Sequence, residues 1–199
     1  MGSKAGTTGT PSVALSDDVI AELDAWRADM QGRRHNPARL AMLRQALILD
    51  SAPEPSYDAI TQRLASCLDV PIVMISMLDD TRDWFKACVG MPQSESPAQT
   101  AFCSAFFDTA DGLIIVADTT QDSRFADHPF VLNPPKIRFY GAARLVLRGQ
   151  TVGTLCAYDI KPRNLSIDQL DQLRHLAASV MELLGNRGVH LERPRDPAG

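Results

Sequence analysis

Two hydrophobic periods alternate along the chain and divide it into helices and strands. Near the N-terminus the period is helical. Val19, Ile20, Leu23, Trp26 and Met30 form one stripe behind Ser16, a fitting N-cap, with Asp17 and Asp18 in the first turn where the helix dipole favours negative charge. Gly32 and the basic run Arg33-Arg34-His35 are expected to end this helix. A second begins at Asn36 with Pro37 in its first position and carries Leu40, Leu43, Leu47 and Leu49. After the Pro53-Glu54-Pro55 break, a third is expected over 56–68, with Ile60, Leu64 and Cys67 on one face.

Beyond Pro71 the period changes. Ile72–Leu78 is almost wholly apolar and predicts a buried strand. After the turn at Asp79-Asp80-Thr81, Arg82–Val89 predicts a second, with Trp84, Lys86 and Cys88 on one face and Phe85 and Ala87 on the other. Gly90-Met91-Pro92 ends it, and a polar loop over 93–99 leads to a short helix over 100–107 capped by Thr100. Leu113–Val116 predicts a third strand, and 118–133 reads as irregular, with a helical turn near 123–126. Residues 137–147 and 151–159 then predict a hairpin around Arg148-Gly149-Gln150, where Gly149 supplies a positive φ. The apolar pairs Phe139-Tyr140, Leu145-Val146 and Leu155-Cys156 load both faces of that hairpin, so it belongs at the centre of a sheet covered on both sides. The closing helix opens on a capping box, Ser166 with Gln169, and Leu165 can staple onto Leu170. Its stripe of Ile167, Leu170, Leu173, Ala177, Val180 and Leu184 runs down to Gly185, the expected stop.

Composition narrows the partners. A chain of 199 residues with 45% hydrophobic content suits one sizeable core with extensions. A net charge of −4 and a pI near 5.5 argue against nucleic acid, which needs a basic face. No apolar run reaches the length of a membrane span and the first residues lack the apolar stretch of a signal peptide, so a cytoplasmic protein without a membrane partner is expected. The cysteines, at 67, 88, 103 and 156, are then expected to be reduced; no C-x-x-C pair or nearby histidine suggests zinc, and no metal site is expected.

Several blocks carry a family likeness. LDSAPEPSYDAIT (49–61), DWFKACVGM (83–91), TAFCSAFF (100–107), DTTQDSRFADHPFV (118–131), IRFYGAARL (137–145) and VGTLCAYDIKPRNLS (152–166) resemble the GAF domains found beside bacterial sensor kinases and diguanylate cyclases, and do so in the right order. The resemblance implies an α+β fold, an α/β/α sandwich: a central antiparallel sheet of five or six strands, terminal helices on one face, and loops with short helices over a pocket on the other. It also implies a regulatory role. The chain departs from the pattern at Ala105, where a histidine is usual, and at Arg144, where proline is common; the first departure weakens any metal or haem at this helix. The division expected is a leader over 1–15, an amphipathic helix over 16–35, the GAF domain over 36–186 as a chain by itself, and a flexible tail over 187–199.

The candidate ligand-binding residues are Trp84, Lys86, Phe102, Cys103, Asp118, Arg124, Phe139, Tyr140 and Arg144. Arg144 selects an anion if it faces the pocket, and is an ordinary solvated residue if it faces out, the preferred placement. Lys86 either neutralises an acidic ligand or snorkels to water while Trp84 packs under a helix. Cys103 near a helix N-terminus is either a reactive thiol or a small buried hydrophobe, the preferred reading. Asp118, Asp122 and Arg124 suit turn caps and a mutual ion pair better than a ligand.

Three functions follow. The first is a non-catalytic sensor that binds an unidentified small molecule or a partner protein and acts through its terminal helices, as a homodimer through the first and last of them, the stripe Val19–Met30 being either a dimer seam or core. With no recognisable kinase, cyclase, phosphodiesterase or helix-turn-helix region, its output is expected through a partner chain. The second is a cysteine-based redox enzyme of the free methionine-(R)-sulfoxide reductase type, whose cysteine motif this chain does not match. The third is a ligand-free dimerisation module whose pocket is filled by its own Phe106 and Phe107. No cofactor is assigned.

Overall fold

The computed structural model describes residues 32–189. The leader, the stripe Val19–Met30 and the tail beyond 189 lie outside the described residues. Among the described residues, beside a helical stretch at 32–34, the helices α1 (Pro37–Gln45), α2 (Pro55–Leu68), α3 (Pro129–Leu132) and α4 (Ile167–Val189) accompany six strands. These are β1 (Ile72–Leu78), β2 (Arg82–Val89), β3 (Glu95–Pro97), β4 (Leu113–Val116), β5 (Phe139–Leu147) and β6 (Gln150–Asp159). They form one antiparallel sheet in the order β3-β2-β1-β6-β5-β4, the α+β fold that the sequence implies.

Local signals set most boundaries. The Asn36 side chain accepts from the Ala38 and Arg39 amides at 2.9 and 3.2 Å, and Pro37 opens α1 behind it. Leu47 and Leu49 fall outside this helix, because Leu47 adopts a left-handed φ of 47° and stands 57% exposed. The capping box of α4 is reciprocal: the Ser166 amide donates to Gln169 at 3.0 Å and the Gln169 amide to Ser166 Oγ at 3.2 Å. Gly185 does not end α4. The helix continues to Val189, and Arg187, expected in a flexible tail, is tied to Glu54 and to the Leu47 carbonyl.

The β5–β6 hairpin is central, as its doubled apolar pairs require. Arg148 and Gly149, with φ of 48° and 79°, make the two-residue left-handed turn that matches strand twist. On one face Leu145 and Leu155 meet Ile75, Leu64, Leu173 and Val180 beneath α2 and α4, in a core of fully enclosed side chains. The opposite face carries Met74, Tyr140, Cys156 and Tyr158 under a layer of loops and 3₁₀ turns that contributes Phe102, Phe106 and Phe125.

Three elements differ from the sequence pattern. A bulge between β1 and β2 sets Ile75 opposite Ala87 but Ser76 opposite Phe85, so Lys86 is the extra residue. Trp84 and Ala87 therefore share the helix side, while Phe85 and Cys88 share the loop side; strict alternation predicted otherwise. Residues 95–97 of the expected polar loop pair with β2 as a short edge strand. The expected helix over 100–107 is instead two 3₁₀ turns, Ala98–Thr100 and Phe102–Phe107, separated by the extended Ala101. The Thr100 hydroxyl donates to the Pro97 carbonyl and so caps nothing.

Candidate functional site

Between the sheet and the loop layer lies a cavity of about 90 Å³. Its walls are apolar side chains of β1, β2 and the 3₁₀ turn, among them Ile72, Met74, Phe85 and Phe102. Into it face Asp83, Ser76, Cys103 and Tyr158. Asp83 is 2% exposed and forms a buried ion pair with Arg34. Burial pushes its carboxyl up, and the Arg34 guanidinium pulls it back. The Ser76 hydroxyl is fully buried and has no hydrogen-bond partner.

Arg34, in the basic run expected to end the first helix, turns inward. Its guanidinium donates to the carbonyls of Asp79 and Arg82 at 2.8 and 2.9 Å and to Ser104 Oγ at 3.3 Å, besides Asp83. Arg39 holds it from behind, donating to the Arg34 carbonyl at 2.9 Å and to the Leu78 carbonyl at 2.5 Å. Burial and the Arg34 charge bring the Arg39 guanidinium down to about 10. Nothing local in the sequence signals the inward turn of Arg34, because the partners of its guanidinium lie 45–70 residues away.

The cavity floor holds a cluster of thiols and hydroxyls. Cys103 Sγ lies 3.9 Å from Cys156 Sγ, accepts from Thr154 Oγ1 at 3.0 Å and from the Tyr140 hydroxyl at 3.5 Å, and has the Tyr158 hydroxyl at 3.7 Å. Hydrogen bonding from Cys156, then Thr154 and Tyr140, holds the Cys103 thiol below its usual range against the opposing effect of burial. Burial pushes the Cys156 thiol well up, and Cys156 can donate to the Met74 carbonyl at 3.5 Å.

The nine residues singled out by sequence separate into three groups. Phe102, Cys103 and Tyr140 gather on the cavity side. Trp84, Lys86 and Phe139 lie on the helix side, with the sheet between them and the cavity. Lys86 neither snorkels nor awaits a ligand: its ammonium is fully enclosed, donates to Ser51 Oγ, the Ala52 carbonyl and Glu54, and sits over the Tyr57 ring. Asp118, Arg124 and Arg144 have structural partners. Asp118 accepts from the Thr120 amide, and Arg124 forks onto Asp122 at 2.6 and 2.9 Å. Arg144 faces the loop layer, neither outward nor into the cavity, and its guanidinium donates to the carbonyls of Phe106 and Thr109 while lying over the Phe106 ring. A wider groove of about 410 Å³, lined by His35, Asp80, Ser104, Arg124 and His128, runs outside the 3₁₀ turns.

The GAF domain profile matches residues 52–184, and the chain belongs to the GAF domain family. It is 36% identical over 146 residues to a cyclic di-GMP phosphodiesterase of Pseudomonas aeruginosa, a match covering 72% of this chain and 25% of that protein. The chain thus spans about a quarter of the length of that relative. Among solved structures, the GAF domain of an Acinetobacter phosphoenolpyruvate-protein phosphotransferase superposes with a TM-score of 0.57 at 18% identity, over 81% of this chain and 99% of that one. A type II free methionine-R-sulfoxide reductase from Thermoplasma acidophilum does so with a TM-score of 0.53 at 16% identity, over 65% and 89%. At such identities these two likenesses establish the fold alone. No helix among the described residues is long and apolar enough to cross a membrane.

Proposed function

We propose that the chain is a regulatory, non-catalytic sensor whose loop-side cavity receives a small molecule and whose terminal segments carry the response. The observation behind this reading is Ser76. A buried hydroxyl without a partner costs about 1–3 kcal/mol, which a ligand's polar group recovers on binding. The ligand suited to the site has a compact apolar body between Met74, Phe85 and Phe102 and one hydrogen-bonding group at Ser76. At about 90 Å³ the cavity is smaller than the ~300–1,000 Å³ of drug-sized sites, so a larger ligand requires the 3₁₀ turns to move outward.

Arg34 supplies the route to the terminal segment. It grips Asp83 on the cavity wall and stands at the end of the amphipathic helix expected over 16–35. A ligand that binds better with that grip altered shifts the arrangement of the terminus by its differential affinity, typically about 1–3 kcal/mol. Homodimerisation through the stripe Val19–Met30 is part of the proposal, and light scattering that gives a monomer at micromolar concentration would remove it. The likeness to a cyclic di-GMP phosphodiesterase supports cyclic-dinucleotide signalling as the context.

The aromatic filling by Phe102, Phe106 and Phe107 favours one other reading, a ligand-free module. Thermal-shift screening with nucleotides (cyclic di-GMP among them), anions and aromatic metabolites separates the two. A sensor gives a concentration-dependent rise in Tm that weakens in Ser76→Ala; silence across all classes supports the ligand-free module.

A further inference from the structure

The two deepest thiols of the protein lie against each other. Cys103 and Cys156 are 53 positions apart in sequence, yet their sulfurs stand 3.9 Å apart at the cavity floor. Among the described residues no group of three or more His, Cys, Asp or Glu side chains is arranged to hold a metal ion, so the pair does not read as part of a metal centre. We propose that Cys103 and Cys156 form a peroxide-reactive dithiol, in which a small hydroperoxide reaching the cavity oxidises Cys103 and Cys156 then closes a disulfide with it. This inference does not depend on the ligand-sensing reading.

The chemistry balances with the hydroperoxide as the sole oxidant. The Cys103 sulfur attacks the terminal peroxide oxygen, the O–O bond breaks, and the leaving oxygen takes the thiol proton as water or an alcohol. Cys103 is now a sulfenic acid. The Cys156 sulfur attacks the Cys103 sulfur, the S–O bond breaks, and the hydroxyl leaves with the Cys156 proton as water. Two thiols have given up two electrons and the peroxide has gained them.

The geometry assigns the order. Cys103 lines the cavity, whereas Cys156 lies behind it on β6 and is fully enclosed. Cys103 also collects the hydroxyls of Thr154 and Tyr140, which favour its thiolate. Buried cysteines are ordinarily inert because oxidants do not reach them. Here the void beside Cys103 admits a peroxide of nearly water size, since a water needs only about 10–15 Å³. Closing the bond brings the sulfurs from 3.9 Å to about 2.05 Å. β6 is paired on both sides, so the 3₁₀ turn is the part that gives. Ser104, next in sequence to Cys103, accepts from Arg34, so oxidation also pulls on the group that grips Asp83.

Cys67 is exposed on α2 and would react on its own account, so the test uses Cys67→Ser. The reduced protein is treated with hydrogen peroxide, remaining thiols are blocked, and peptides are mapped by mass spectrometry. The expected product is a Cys103–Cys156 linked peptide, formed while Cys88 stays largely reduced. Adding Cys156→Ser should abolish the link and leave a Cys103 sulfenic acid that a dimedone reagent captures. Adding Cys103→Ser should leave Cys156 reduced. Cys103 and Cys156 both remaining reduced at peroxide levels that oxidise Cys88, a link to Cys88 instead, or Cys156 oxidised equally in Cys103→Ser, would each overturn the proposal. The first map needs no core substitution, so an unstable variant does not shelter it.

Discussion

On the helix side of the sheet, Leu64, Leu155, Leu173 and Val180 are enclosed without any exposed surface, whereas on the loop side Phe85, Phe102 and Tyr158 surround a void and the Ser76 hydroxyl goes unpaired. The same strands serve both faces, so the difference lies in what covers them. α2 and α4 present regular ridges that interlock with a pleated surface. The loop layer consists of 3₁₀ turns, the single-turn α3 and irregular chain, whose side chains follow no such period and leave gaps. Polar ties hold that layer where packing does not: Arg144 grips the carbonyls of Phe106 and Thr109, and Arg34 reaches Ser104 and Asp83. Helix-side polarity has another form, the cluster of Lys86, Glu54 and Arg187 that joins β2 to the ends of α2 and α4.

The sharpest break of this comparison is a matched pair of truncations. Leu155→Ala should cost about 2–5 kcal/mol in urea unfolding, because its neighbours on the helix side cannot collapse into the gap. Met74→Ala on the cavity wall should fall at the low end, about 2 kcal/mol, since that side chain already borders empty space. Equal losses would mean that the two faces are packed alike.

A smaller effect is expected in acid. The Lys86 hydrogen bond, helped by Arg187, holds the Glu54 carboxyl below its ordinary range against the effect of burial. A carboxyl lowered on folding adds stability above its unfolded value of about 4.3, and that stability is lost as the pH falls through the folded value. Glu54→Gln should therefore lower Tm at neutral pH by less than Leu155→Ala does, and flatten the fall below about pH 4.3. A parallel acid limb in wild type and variant would show that another group governs it. The smallest effect belongs to Arg124→Ala. Its ion pair with Asp122 is partly exposed and joins near neighbours in sequence, so the change should stay within about 1 kcal/mol. A larger loss by denaturant titration would mean that the loop side depends on surface charge.

Legibility followed the range of the interaction. The Asn36 cap, the Ser166–Gln169 box and the turn at Gly149 each involve neighbours in sequence, and each was readable from the chain. The site was readable only in part. Phe102, Cys103 and Tyr140 lie on the cavity side. Trp84, Lys86 and Phe139 fell on the other face. Phe139 and Tyr140 adjoin on one strand and must face opposite ways, and sequence does not say which faces the helices. Trp84 and Lys86 do share a face, as alternation requires, but which face that is was equally open; the bulge at Lys86, which arises from pairing with β1, moved Ala87 to the helix side and Cys88 to the loop side.

The chain by itself determined its layers. Doubled apolar pairs demand a sheet buried on two sides, and capped amphipathic stripes supply the helices that bury one of them. Only the tertiary structure decided the chemistry at the loop side, where Arg34 meets Asp83 and Cys103 meets Cys156 across separations of 49 and 53 residues. Hydrophobic period is a local property that recurs along a segment, whereas a polar contact between distant residues leaves no trace in the spacing of either partner.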